Sequence, residues 1–148
     1  MFKHILVPTD GSKLSDKAVK HAIAFAVQTG ARLTVLHVTP EYRAKDIEGF
    51  VAPSSQLLRK RYEEEAVARA QKLLAGIERN AKAAGVACET VVSANDAPYD
   101  EIVKQAKKRK CDLIMMSSHG RRGISGLLLG SETAKVLTHS TIPVLVYR

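Results

Sequence analysis

Residues 116–131, Met-Ser-Ser-His-Gly-Arg-Arg-Gly-Ile-Ser-Gly-Leu-Leu-Leu-Gly-Ser, follow a short apolar run and end where a helical pattern begins. Strand, glycine-rich loop and helix in that order make a β-to-α joint whose loop holds more glycine than a turn needs. Glycines bare the backbone N–H groups, and a helix N-terminus leaves its first donors unpaired. Together they seat an anion such as phosphate without any special side chain. Because glycine is entropically costly to fix, folding alone explains such a loop poorly.

Outward from this joint, strand and helix patterns alternate along the chain. Ile5-Leu6-Val7, 33–38, 86–92, 113–116 and 142–147 are short apolar or alternating runs rich in β-formers, bounded by Gly, Pro, Asp or Ser. Residues 15–29 put Ala18, Val19, Ala22, Ile23 and Ala26 on one stripe, with Gly30 placed as a C-cap. Residues 57–84 read as a long helix with Leu57, Leu58, Ala66, Ala70, Leu73, Leu74 and Ile77 on its apolar side, closed by Gly85. Pro98 opens a third helix in its first turn, where a missing N–H costs nothing, and turns Ile102, Val103 and Ala106 inward. A fourth starts near Ser131 and carries Ala134, Val136 and Leu137. Alternation of this kind, with mostly apolar strands, implies a parallel sheet covered on both faces. Segment 40–56, with two prolines, a glycine and two serines, lacks a clear period and reads as a mobile loop beside the site.

Composition bounds the function. The 148 residues suffice for a single domain, expected over 1–148, that needs neither disulfide nor metal to be stable. No apolar run reaches the roughly 20 residues of a membrane span, and no signal-peptide pattern opens the chain, so a cytoplasmic protein without a membrane partner is expected. Cys88 and Cys111 form no Cys-x-x-Cys pair and read as reduced, buried structural thiols. The net charge of +8 is scattered, its densest runs at Arg59-Lys60-Arg61 and Lys107-Lys108-Arg109-Lys110. Without tryptophan or an aromatic stacking pattern beside them, no specific nucleic-acid recognition is expected.

In an open parallel sheet, ligands bind outside the carboxyl ends of the strands where the strand order reverses. The residues at those ends are Pro8-Thr9-Asp10-Gly11-Ser12, Val38-Thr39-Pro40 and Ser117-Ser118-His119-Gly120. Asp10 suits a sugar hydroxyl or a Mg²⁺ ion near phosphates, and equally an ordinary turn. Two familiar phosphate motifs are absent, the P-loop Gly-x-x-x-x-Gly-Lys-[Ser/Thr] and Gly-x-Gly-x-x-Gly after the first strand. What stands instead is Gly120, nine residues, then Gly130-Ser131. His4, His21, His37 and His139 have no partner at metal-ligand spacing. His119 either stabilises the loop or contacts ligand. Ser117 or Ser118 with His119 is no nucleophile–base pair, because adjacent side chains do not generally face each other and the Gly-x-Ser-x-Gly elbow is missing. Arg121 and Arg122 are either phosphate forks or solvated loop arginines.

With Ile-Leu-Val-Pro-Thr-Asp-Gly-Ser at its start, Leu-His-Val in strand two, Ala-Pro-Tyr-Asp-Glu-Ile, Asp-Leu-Ile-Met-Met and the closing Ser-Thr-Ile-Pro-Val-Leu-Val, the whole chain resembles the universal stress protein family. The ATP-binding members of that family carry Gly-x2-Gly-x9-Gly-[Ser/Thr] at this place. The resemblance implies an α/β fold, a Rossmann-like open five-stranded parallel sheet of order 3-2-1-4-5 with helices on both faces, and a homodimer through the last strand. It implies ATP, or a related adenine nucleotide, as a regulatory ligand with Mg²⁺ at Asp10. Pro8, Thr9 and Asp10 would then border adenine and ribose, with Val38 against the base. Met116 and Ser117 would line the floor, Gly120 would admit the phosphates, and Gly130 with Ser131 would bind them. Ser118, His119, Arg121 and Glu132 complete the implied site. Ser117 departs from the family pattern, which has glycine there. Either the serine is a steric handicap, and Ser117→Gly strengthens binding, or it is tolerated.

The expected function is a regulator acting through dimer or partner contacts, the protein partner unspecified. The alternative is a dimeric interaction or chaperone-like module that binds no nucleotide. No residue beyond Asp10 suggests a base or water-positioning group, so no catalytic residue is assigned and at most slow ATP hydrolysis is expected. The run 141–148 is an apolar edge strand with little to cover it, and two copies can satisfy each other about a two-fold axis.

Overall fold

A computed structural model describes residues 1–41, 55–121 and 129–148. Residues 42–54 of the expected loop, Arg122 and the pair Leu127-Leu128 lie outside the described residues. The elements run β1 (His4–Pro8), α1 (Lys13–Thr29), β2 (Arg32–Thr39), α2 (Ser55–Ala83), β3 (Cys88–Ala94), α3 (Pro98–Lys108), β4 (Leu113–Ser117), α4 (Ser131–His139) and β5 (Val144–Tyr147). The five strands form one parallel sheet of order β3-β2-β1-β4-β5.

The period of two along each strand divides the core between two layers. Ile5, Val7, Leu33, Val35, Leu113 and Met115 join Val19, Ala22 and Ala26 of α1 and Leu74, Ile77 and Ala81 of α2. Leu6, Leu36, Ile114 and Met116 face the other way, onto Ile102, Val103 and Ala106 of α3 and Val136 of α4. Local signals set the helix ends. Ser12 caps α1 by accepting from Ser15 N, Gly30 closes it at φ 69°, and Pro98 stands in the first turn of α3. Gly85, at φ 77°, follows α2 and donates its N–H to Lys82 O. No helix among the described residues is long and apolar enough to cross a membrane.

Three readings of the sequence need correction. Leu57 and Leu58 stand 59% and 51% exposed, so α2 buries its apolar side only from Ala70 onward. A 29-residue helix is about 43 Å long at 1.5 Å per residue, whereas a strand of seven or eight residues spans about 25 Å. The first turns of α2 therefore outreach the sheet. In α4, Thr133 and Val136 face inward while Ala134 and Leu137 face out, because the helix is tethered through Thr133. β3 and β5 start two residues later than their apolar runs, at Cys88 and Val144.

Candidate functional site

β1 and β4 lie side by side at the centre of the sheet, and the chain winds outward from them in opposite directions. That is the switch point of a doubly wound sheet, where a crevice opens at the carboxyl ends. Two loops meet there, one after β1 at Thr9–Ser12 and one after β4 at Ser118–Arg121.

Asp10 ties them together. Its Oδ1 accepts from Ser12 N at 2.9 Å, forming a local turn, and its Oδ2 accepts from Arg121 N at 2.7 Å across 111 residues of sequence. Burial works against the charge of this carboxylate. The donors at Ser12, Arg121 and Ser15 outweigh it and hold the Asp10 carboxyl below the usual range. Gly120 stands so close that a Cβ there would lie 2.6 Å from Asp10 Oδ2. Gly11 adopts φ 75°, and the Arg121 guanidinium and Leu73 would each lie 3.3 Å from a Cβ on it. Thr9 is fixed beneath. Its Oγ1 pairs with Ser15 Oγ at 3.1 Å, and its carbonyl accepts from His37 Nδ1 at 2.8 Å, which sets the proton on that nitrogen.

The β4 loop is stitched to α4 by its carbonyls. Ser117 O and Ser118 O share the Thr133 hydroxyl at 3.0 and 3.2 Å, Ser118 O also accepts from Gly130 N at 2.7 Å, and His119 O accepts from Ser117 Oγ at 2.8 Å. A Cβ on Gly130 would sit 3.0 Å from Ser118 O and 3.3 Å from His119 Cα, tight contacts that glycine avoids; its φ is an ordinary −70°. Gly130 is the N-cap of α4 and provides no side-chain cap, unlike Ser12 of α1. Against the expectation that these adjacent side chains do not face each other, His119 Nδ1 lies 3.0 Å from Ser118 Oγ, while its Nε2 is buried without a partner among the described residues.

The structure thus brings Thr9, Asp10, Ser117, Ser118, His119, Gly120, Arg121 and Gly130 together at the carboxyl ends of β1 and β4, with Ser131 next in α4. Pro8 ends β1, Val38 flanks the α3–α4 core layer, and Met116 is buried within it. Glu132 turns aside, its carboxylate accepting from Tyr99 N at 2.8 Å at the start of α3 and from Lys135 Nζ at 3.3 Å. Sequence reasoning missed Thr133, His37 and Glu101. Thr133 had a signal, a β-branched hydroxyl residue in the first turn beside Gly-Ser. Glu101 is 2% exposed, held by Ser93 Oγ at 2.6 Å, Gln105 Nε2 at 2.8 Å and Asn95 Nδ2 at 3.2 Å. The two cysteines are free, Cys111 buried as expected and Cys88 only half-buried, and burial pushes both thiols up to about 11. Among the described residues no trio of His, Cys, Asp or Glu converges on a metal-sized point.

The chain matches the model of the universal stress protein family over residues 1–148. It is 34% identical to the universal stress protein YxiE of Bacillus subtilis, covering all of both chains. The solved MJ0577 protein of Methanocaldococcus jannaschii superposes with a TM-score of 0.84 at 30% identity, over 99% of this chain and 95% of that one. A universal stress protein solved in complex with cAMP gives a TM-score of 0.72 at 27% identity, over 99% and 97%.

Proposed function

We propose, for a chain that belongs to the universal stress protein family, that the crevice between the β1 and β4 loops binds ATP or a related adenine nucleotide as a regulatory ligand. The observation that carries this reading is the N-terminus of α4, which has no side-chain cap and opens beside the Gly120 loop at the switch point of the sheet. Uncapped first-turn donors and the positive end of the helix dipole favour phosphate there. The relative solved with cAMP supports an adenine nucleotide as the ligand class.

In this reading the base lies against Val38 and Met116, and the ribose rests by Pro8, Thr9 and Asp10. The phosphates lie over Ser118, His119, Gly120 and Arg121 toward Ser131 and the backbone of Glu132. Both Asp10 oxygens already accept a backbone N–H. Each keeps one lone pair, which fits a Mg²⁺ ion that arrives on the phosphates and takes one protein carboxylate. The nucleotide is held as a signal, with slow turnover or none. The protein acts as a homodimer, paired through the edge strand β5 and read by a partner protein in the cytoplasm.

Calorimetry with Mg²⁺ and adenine nucleotides tests the site. ATP should bind, and Gly130→Val should abolish binding by forcing the Ser118 loop off α4. The absence of heat with any adenine nucleotide would remove this function.

A further inference from the structure

We propose that the Ser117 hydroxyl, present where the family motif has glycine, is a positioning group that aims the Gly120 N–H into the phosphate seat. This rests on the nucleotide reading and gives one side chain a role in it. Ser117 ends β4 at 7% exposure, with its backbone outside the left-handed region, so the glycine it replaces is not needed for conformation. Its Oγ turns back into its own loop and donates to His119 O at 2.8 Å. With Thr133 and Gly130 serving Ser117 O and Ser118 O, three successive carbonyls are drawn toward β4 and α4.

A trans peptide holds its C=O and N–H on opposite sides. Pinning the His119 carbonyl inward therefore turns the Gly120 N–H outward, over the crevice. The next N–H, of Arg121, is claimed by Asp10. The Gly120 N–H has no partner among the described residues and is left as the donor for an incoming anion, as in the concave N–H clusters that bind phosphate elsewhere. Remove the hydroxyl, and the 119–120 peptide is held on one side only. The donor must then be ordered when ligand binds, which costs affinity for the phosphate portion and leaves the base portion untouched.

The test compares wild type with Ser117→Ala and Ser117→Gly, using ATP and adenosine as separate probes, together with ¹⁵N relaxation of the Gly120 amide without ligand. Loss of one neutral hydrogen bond should weaken ATP binding roughly 2- to 10-fold with adenosine affinity unchanged. The order parameter of Gly120 should drop from the rigid range near ~0.85 toward the flexible range below ~0.6. ATP binding by Ser117→Gly as tight as wild type or tighter, equal weakening toward ATP and adenosine, or a Gly120 amide as ordered in Ser117→Ala as in wild type would each overturn the proposal. A wild type that binds neither probe sinks the nucleotide reading instead, and the relaxation of Gly120 then decides the role of Ser117 alone.

Discussion

Gly120→Ala should destabilise the protein through Asp10, and by an amount that can be worked out beforehand. The new Cβ would lie 2.6 Å from Asp10 Oδ2, about 0.8 Å short of ordinary contact at 3.4 Å. Asp10 can give way only by releasing Arg121 N, now at 2.7 Å, or Ser12 N, now at 2.9 Å. A hydrogen bond to a charged group contributes about 1.5–3 kcal/mol net, so losing one costs about 2 kcal/mol. For a domain of this size that lowers Tm by about 4–8 °C. The decisive assay is a double-mutant cycle by urea unfolding at fixed protein concentration, with Gly120→Ala made in wild type and in Asp10→Ala. Where the carboxylate is already gone the clash is gone too, so the alanine should then be nearly neutral, giving a coupling of about 2 kcal/mol. Equal cost in both backgrounds would refute the reasoning, since the glycine would then be serving something other than Asp10.

Stability should fall with acid in two steps. His4 donates from Nε2 to Thr34 Oγ1 at 2.7 Å, and burial, then Arg32, push its imidazole down, so its stabilisation is complete above the unfolded value of about 6.5 and is lost as pH falls through the lower folded value. Asp10 and Glu101 are likewise held low, their hydrogen bonds outweighing burial, and their share is present above about pH 4 and lost below it. His4→Gln should flatten the first step alone; an unchanged slope between pH 5 and 6.5 would contradict this. Both thiols should react with a thiol reagent at pH 7.4 far more slowly in the native protein than in urea, given values of about 11. Light scattering should give twice the chain mass, shifted toward monomer or aggregate by Val146→Lys in the edge strand; a monodisperse wild-type monomer would end the dimer reading. Steady-state ATP turnover should stay below roughly one per second, and a higher rate lost in Asp10→Asn would make the protein an enzyme.

What periodicity and turn signals captured is local, whereas the strand order 3-2-1-4-5 was legible only through the family resemblance. Alternation within Ile5-Leu6-Val7 and within 113–116 assigns each residue to its layer, because strand geometry leaves no other choice. Gly30 and Pro98 mark helix ends for reasons confined to a few neighbouring residues. The exposed start of α2 escaped because periodicity shows which side of a helix is apolar and not how far the sheet beneath extends. Glu101 escaped although its partners are local, Ser93 and Asn95 eight and six residues before it and Gln105 four after, because apolar periodicity carries no sign that a first-turn carboxylate is buried. Asp10 was legible as a strand-end carboxylate, but its claim on Arg121 N spans 111 residues and has no trace in local pattern.

The same distinction alters what the glycines in the loop mean. Among the described residues the left-handed glycines are Gly11, Gly30 and Gly85; neither Gly120 nor Gly130 is one of them. Both are glycine because another group occupies the space of a Cβ, Asp10 Oδ2 at one and Ser118 O at the other. Their spacing of ten therefore records where the β4 loop must touch first the β1 loop and then the start of α4. The motif's first position meets no such neighbour in this chain, and there the side chain can fold back onto its own loop, as Ser117 does onto His119 O. A serine is thus permitted at a position where the loop turns on itself. At Gly120 and Gly130, where the loop meets other elements, a side chain would have to displace Asp10 or the Ser118 backbone. Substitution by alanine along the motif should accordingly be graded, mildest at Ser117 and costliest at Gly120, where the Cβ contact is shortest.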